Sequence, residues 1–157
     1  LTIGAYHDIN DKWSVMAEFG RTYWSSFDTL DIYGENNGKM STTEERWKDT
    51  TFYAIGASYQ YNDQWKFRVG FAVDQSAVGQ EYRTPRIPDS DRLWYSSGIE
   101  YKYNDDWTFN LGYTYIRADK GKVKLLGYHD GDNARGSLQA DYENDIHILG
   151  FGASYNF

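Results

Sequence analysis

Gly56-Ala57-Ser58-Tyr59-Gln60-Tyr61-Asn62-Asp63-Gln64-Trp65-Lys66-Phe67-Arg68-Val69-Gly70-Phe71 decides the fold. After Asn62-Asp63-Gln64 the apolar residues fall at Trp65, Phe67, Val69, Phe71 and Val73, with Lys66, Arg68, Gly70, Ala72 and Asp74 between them. That is a period of two, the signature of a strand with one apolar face. Before the turn the same parity is kept by Tyr53, Ile55, Ala57, Tyr59 and Tyr61. An Asn-Asp pair between two alternating segments reads as a tight hairpin joining antiparallel strands.

The unit recurs. Gly4-Ala5-Tyr6-His7-Asp8-Ile9-Asn10-Asp11-Lys12-Trp13 and Gly98-Ile99-Glu100-Tyr101-Lys102-Tyr103-Asn104-Asp105-Asp106-Trp107 carry the same turn. Gly152-Ala153-Ser154-Tyr155-Asn156-Phe157 repeats its first half. Strands are expected over residues 1 to 9, 13 to 28, 47 to 61, 65 to 80, 92 to 103, 107 to 120 and 138 to 157. Short turns at one end then alternate with long connections at the other, about residues 29 to 46, 81 to 91 and 121 to 137. Trp13, Tyr59, Tyr61, Trp65, Tyr101, Tyr103, Trp107, Tyr155 and Phe157 crowd the short-turn end. Amphipathic rings gathered at one level suit a membrane interface. The fold class expected is all-β: an antiparallel transmembrane β-barrel segment of about seven strands.

Composition agrees. The 157 residues include 15 Tyr, 6 Trp and 8 Phe, while Cys is absent, which excludes a disulfide framework or a thiolate metal site. Mean hydropathy is -0.76, but membrane strands of about 9 to 11 residues that alternate in polarity leave no mark on an average. No apolar run reaches the roughly 20 residues of a spanning helix. A net charge of -7 argues against a nucleic-acid partner. His7, His129 and His147 lack metal-ligand spacing, and Asp130-Gly131-Asp132-Asn133 echoes a calcium loop but has Arg135 where that loop needs Gly, so no metal or cofactor is expected. His147 has outward parity, and the sequence holds no Gly-x-Ser-x-Gly elbow, so a barrel enzyme acting on lipids is not the expectation.

Pro85-Arg86-Ile87-Pro88-Asp89-Ser90-Asp91-Arg92-Leu93-Trp94-Tyr95-Ser96-Ser97-Gly98 resembles the Ile-Pro-Asp-x-Asp-Arg segment of the FadL/TodX-type outer-membrane transport family. Residues 65–74 and the closing 150–157 are similar to the same family's strands and C-terminus. The resemblance implies a location in the Gram-negative outer membrane and a larger, 14-stranded barrel plugged by an N-terminal hatch. Residues 1–157 would be its C-terminal part, without hatch or earlier strands. It implies passive transport of hydrophobic molecules, foremost long-chain fatty acids, with aromatic hydrocarbons as the alternative cargo; a structural or adhesive barrel is the rival reading. The terminal aromatic Phe157, with Tyr155, Ala153, Phe151 and Leu149 at alternate positions, resembles the signal read by barrel assembly machinery.

A fatty acid asks for an apolar groove ending in cationic or hydrogen-bonding groups. Arg46, Lys48, Arg83, Arg86 and Arg92 at the long-loop end, with Trp94, are the ligand-binding candidates. Asp89 and Asp91 among them also allow an internally paired loop stiffened by Pro85 and Pro88, with Asp89 capping a turn. Lys66, Arg68, Asp74, Glu100, Lys102 and Asn110 share the inward parity of Trp94 and would line a lumen.

Overall fold

A computed structural model describes residues 1–35, 38–126 and 136–157. Seven strands form one antiparallel sheet: β1 (Thr2–Asp8), β2 (Trp13–Thr22), β5 (Thr50–Gln60), β6 (Trp65–Asp74), β7 (Arg92–Lys102), β8 (Trp107–Ala118) and β11 (Asp145–Tyr155), paired in that order. The sheet is open, with β1 and β11 at its edges. Two hairpins rise from the long connections, β3 (Thr29–Tyr33) with β4 (Lys39–Glu44) and β9 (Gly121–Leu125) with β10 (Leu138–Tyr142).

Each short turn is closed by its asparagine. Asn62 Oδ1 accepts the backbone N–H groups of Gln64 (3.0 Å) and Trp65 (2.9 Å), and Tyr61 N–H donates to Trp65 O at 2.9 Å. Asn10 and Asn104 repeat the arrangement with Lys12 and Trp13 and with Asp106 and Trp107. A side-chain carbonyl placed this way substitutes for an acceptor the backbone cannot supply inside so tight a bend. Asn62→Ala removes two such bonds at an exposed site and is expected to lower stability by about 1 kcal/mol, read as a shifted urea midpoint, with Asn62→Asp retaining most of it.

Register carries the parity across the whole sheet. Ala17, Ile55, Phe71, Tyr95, Tyr115 and His147 lie in one row on one face. Met16, Gly56, Gly70, Ser96, Thr114 and Ile148 form the row behind it. The first face leaves large apolar side chains uncovered: Ile55 is 64% exposed, Val69 62%, Leu149 75% and Phe151 73%. Buried apolar residues are few and small, with Ala72, Ala77, Val78, Ile116, Val123 and Leu125 the described set. A contiguous apolar face of this extent is one that hydrocarbon, not water, surrounds. No helix among the described residues is long and apolar enough to cross a membrane, which says nothing of strands.

The aromatic level at the short turns is an interlocked ladder. Trp13 meets Tyr59 at 4.6 Å between ring centroids, Trp65 meets Tyr101 at 4.4 Å and Trp107 meets Tyr155 at 4.9 Å. Each tryptophan following one turn is thus completed by the tyrosine preceding the next. Such pairs add about 0.5–1.5 kcal/mol beyond area burial.

The structure corrects several expected boundaries at the long-loop end. The strand expected over residues 13 to 28 stops at Thr22, and a 3-10 turn Trp24–Ser26 follows. Those expected from 47 and to 80 begin at Thr50 and end at Asp74. The final strand expected over 138 to 157 is broken in two: Leu138–Tyr142 pair with β9, and the pairing with β8 begins only at Asn144, whose O accepts Ala118 N–H at 3.1 Å. The long connections expected as loops at 29 to 46 and 121 to 137 hold the two extra hairpins. Residues 127–135, with His129 and the calcium-loop echo, lie outside the described residues.

Candidate functional site

Beyond Asp74 the chain runs 17 residues, 75–91, before β7 resumes the sheet, and this segment builds the site. Its start stays tied to the strand beside it: Lys48 N–H donates to Ala77 O (2.8 Å), and Thr51 N–H donates to Gln75 Oε1 (3.0 Å). Its end is then pulled back over its beginning. Ser76 N–H donates to Asp91 Oδ1 (2.7 Å) and Ser76 Oγ to Asp89 Oδ2 (2.8 Å). Arg92 bridges Asp74, its register partner, at 2.7 Å and Asp89 at 3.5 Å. Asp89 therefore does not cap its own turn as expected; it latches the two ends of the segment together. Asn144 Nδ2 donates to Pro88 O at 3.5 Å and holds the segment from the opposite side.

Between this segment, the 3-10 turn and the ends of the strands lies a cavity of about 750 Å³. Trp24, Trp47, Phe52, Val78, Ile87 and Pro88 give it apolar walls, and Arg86, Arg92, Asp74, Asp89, Ser90, Asn144 and Asp145 supply its polar groups. Trp47 meets Trp24 at 5.2 Å and Phe27 at 4.9 Å, both edge-on, and its indole N–H donates to Glu45 Oε2 at 3.1 Å. The size is that of a small-molecule site, typically about 300–1,000 Å³.

Asp49 fixes the tryptophan wall. Its carboxylate accepts the Ser25 N–H at 3.0 Å and pairs with Arg21 at 3.4 Å. Hydrogen bonds from Ser25, then the Arg21 charge, hold its pKa below the ordinary carboxylate value. A depressed carboxyl stabilises the fold above its unfolded-state pKa, and that contribution is lost as pH falls through the folded value. Acidification below the ordinary carboxylate range is therefore expected to free Trp24, read as a change in tryptophan emission that Asp49→Asn reproduces at neutral pH.

Of the residues singled out from sequence, Arg86 and Arg92 line the cavity. Arg83 lies behind it, buried, with Nη1 donating to Lys122 O at 3.2 Å. Trp94 faces Ala72 and Ile116, both buried, and its indole N–H has no partner among the described residues. Arg46 is turned away at φ 40°, pairing with Glu44 at 3.4 Å and lying over the Tyr82 ring at 5.5 Å. Lys48 lines a separate hollow of about 590 Å³ with Tyr82 and Lys124. Trp24, Trp47, Ser90 and Asn144 were not singled out, since only the folding of the loops brings them together; a tryptophan at each end of the first long connection was the available signal. On the polar face Arg68 is bonded to Glu100 and, at 3.4 Å, to Asn110, an inward charge network. On the apolar face His147 Nδ1 is hydrogen-bonded to Tyr113 Oη at 2.7 Å, and its ring stacks on Tyr115 at 5.0 Å, so it belongs to an aromatic level at the long-loop end.

Comparison with known proteins places these features. The family model described as outer membrane protein transport protein (OMPP1/FadL/TodX) matches residues 1–157. The chain is 30% identical to the long-chain fatty acid transport protein of Escherichia coli over 155 residues, 99% of this chain and 33% of that one. Among solved structures, a Pseudomonas aeruginosa FadL homologue superposes with a TM-score of 0.89 at 27% identity, covering 98% of this chain and 34% of that one. The Pseudomonas putida toluene transporter TodX shares the fold, with a TM-score of 0.66 at 22% identity, covering 99% and 34%. The chain spans about a third of the length of the curated relatives it matches.

Proposed function

We propose, from the premise that this chain belongs to the outer membrane protein transport family (OMPP1/FadL/TodX), that it forms the C-terminal wall of a barrel passing long-chain fatty acids across the outer membrane by binding and diffusion, without chemistry. The observation that carries this reading is the cavity of about 750 Å³ at the long-loop end, apolar on its tryptophan side and polar along the 86–92 stretch. An amphiphile leaving water needs that arrangement: apolar area to receive its tail, about 0.8 kcal/mol for each CH₂ buried, and polar groups to keep its head satisfied. The relative in Escherichia coli named as a long-chain fatty acid transport protein supports the substrate class.

Further strands and a hatch would complete the barrel, since strand edges cannot stay unpaired in lipid. Phe157, fully exposed beyond the end of β11, would be read by the assembly machinery.

The test is titration of the purified protein in detergent micelles with a fluorescent long-chain fatty acid, with toluene as competitor. Saturable binding that Trp47→Ala weakens about tenfold, with toluene a poor competitor, is the expected result. Full displacement by toluene would favour an aromatic hydrocarbon as the cargo. No saturable binding would leave a structural or adhesive barrel.

A further inference from the structure

The apolar face of the sheet carries a polar notch. A hollow of about 560 Å³ opens near its long-loop end, lined by Tyr95, Ser97, Tyr113, Tyr115 and His147. All five share the outward parity: Tyr95, Tyr115 and His147 stand in one row, and Ser97 and Tyr113 in the next row toward the short turns. Ser97 is the middle residue of β7, set between Val69 and Tyr113. A level of tyrosines is what any membrane interface attracts. A serine one row deeper, with a histidine beside it, is different, because polar groups turned toward hydrocarbon are costly and mark functional positions. Tyr113 Oη and His147 Nδ1 bond each other at 2.7 Å, whereas Ser97 Oγ, Tyr95 Oη and His147 Nε2 have no hydrogen-bond partner among the described residues.

A cation stands directly above the hollow. Arg117 follows Tyr115 by two residues on the same face of β8, opposite Leu93 and Asp145. It makes no hydrogen bond or ion pair among the described residues, and its neighbour Asp145 accepts the Tyr115 hydroxyl at 3.0 Å instead. Below the hollow the face continues as Ile99, Leu111 and Phe151. From the long-loop end inward the order is therefore a free cation, then hydrogen-bonding groups, then hydrocarbon.

The long loops of outer-membrane barrels lie outside the cell, so this stack meets the outer leaflet. The lipid of that leaflet is lipid A, a phosphorylated sugar with ester and amide linkages and hydroxylated acyl chains beneath it. We propose that the outer face of β7, β8 and β11 holds one lipid A molecule. Its phosphate lies at Arg117, whose planar fork suits phosphate oxygens. Its linkage carbonyls and chain hydroxyls enter the hollow at Tyr95, Ser97 and His147, and its tails run over Leu111 and Phe151. An ordinary phospholipid also brings a phosphate to Arg117, but no hydroxyl on its chains to reach Ser97 one row deeper. The site lies on the lipid-facing side of the sheet, so it is independent of the cargo carried on the other side.

The deciding measurement titrates the purified protein in non-ionic detergent with lipid A, dephosphorylated lipid A and phosphatidylglycerol, counting bound lipid by native mass spectrometry. One lipid A per chain is expected, held about tenfold tighter than either of the other two. Arg117→Gln brings lipid A down to the level of its dephosphorylated form. Ser97→Leu fills the hollow and weakens lipid A about threefold or more while leaving phosphatidylglycerol unchanged; a face that only meets hydrocarbon would hold every lipid as well or better after that change. Fatty-acid binding stays as in the wild type in both variants, which also shows that they fold. Lipid A held no tighter than phosphatidylglycerol, all three lipids weakened alike, or lipid A binding unchanged in both variants overturns the site and leaves the transport reading standing.

Discussion

Leu111→Arg is expected to destabilise the protein by about 2–4 kcal/mol in a bilayer, whereas Gly112→Lys, one residue further on, costs less than about 1 kcal/mol. Leu111 stands on the apolar face between Ile99 and Phe151 and is 46% exposed. Arginine there puts an ion into hydrocarbon partway along the strand. Gly112 stands on the other face between Gly98 and Gly150, where an added Cβ meets nothing within 4 Å. A lysine can extend into that space and keep its ammonium hydrated. The check is urea unfolding of the two variants in vesicles, with the temperature at which the folded band is lost on a gel as a second reading. Equal costs, or a greater cost for Gly112→Lys, would mean that the apolar face does not meet lipid.

The second large effect is expected at Arg92. Arg92→Met leaves Asp74 and Asp89, both mostly buried, facing each other without a cation. Removing one partner from a fully buried pair costs about 3–5 kcal/mol. With the arginine side chain about a third exposed, solvent screening brings the expected loss to about 1–3 kcal/mol. The loss is local, because the sheet hydrogen bonds of β6 and β7 do not depend on these side chains. What opens is the latch over the cavity, so trypsin should cut after Arg83 and Arg86 in this variant while the strands resist. Asp74→Asn combined with Asp89→Asn in the same background removes the repulsion and should restore part of the resistance. A cleavage pattern like that of the wild type would show that the 75–91 segment is held by its backbone alone.

What could be read from the residues alone was whatever the chain decides over a few neighbours. The turns were legible because Asn10, Asn62 and Asn104 each serve N–H groups two and three residues on. The face of every sheet strand was legible because a period of two survives any register that pairs like with like. The family itself was carried by the Pro85–Gly98 stretch. The break before Asp145 was not legible, since it depends on Leu138–Tyr142 folding back onto β9 instead of extending the pairing with β8. Nor was the composition of the cavity, because whether Arg83, Arg86 or Arg92 reaches it depends on the latch at Ser76, which no local pattern encodes. Arg46 and Lys48 lie near it in sequence, yet a left-handed residue and a separate hollow carry them elsewhere.

The ladder of Trp13 on Tyr59, Trp65 on Tyr101 and Trp107 on Tyr155 makes the hairpin a unit of growth. Removing residues 62–103 would join Tyr61 directly to Asn104-Asp105-Asp106-Trp107, so the bend would keep its asparagine and both outer stacks would survive. Only the Trp65–Tyr101 pair, internal to the lost piece, would go with it. A wall assembled this way changes circumference by whole hairpins, two strands at a time, without leaving an unmatched ring at the water's edge. Gene duplication or deletion in steps of that length would meet no packing penalty at this rim.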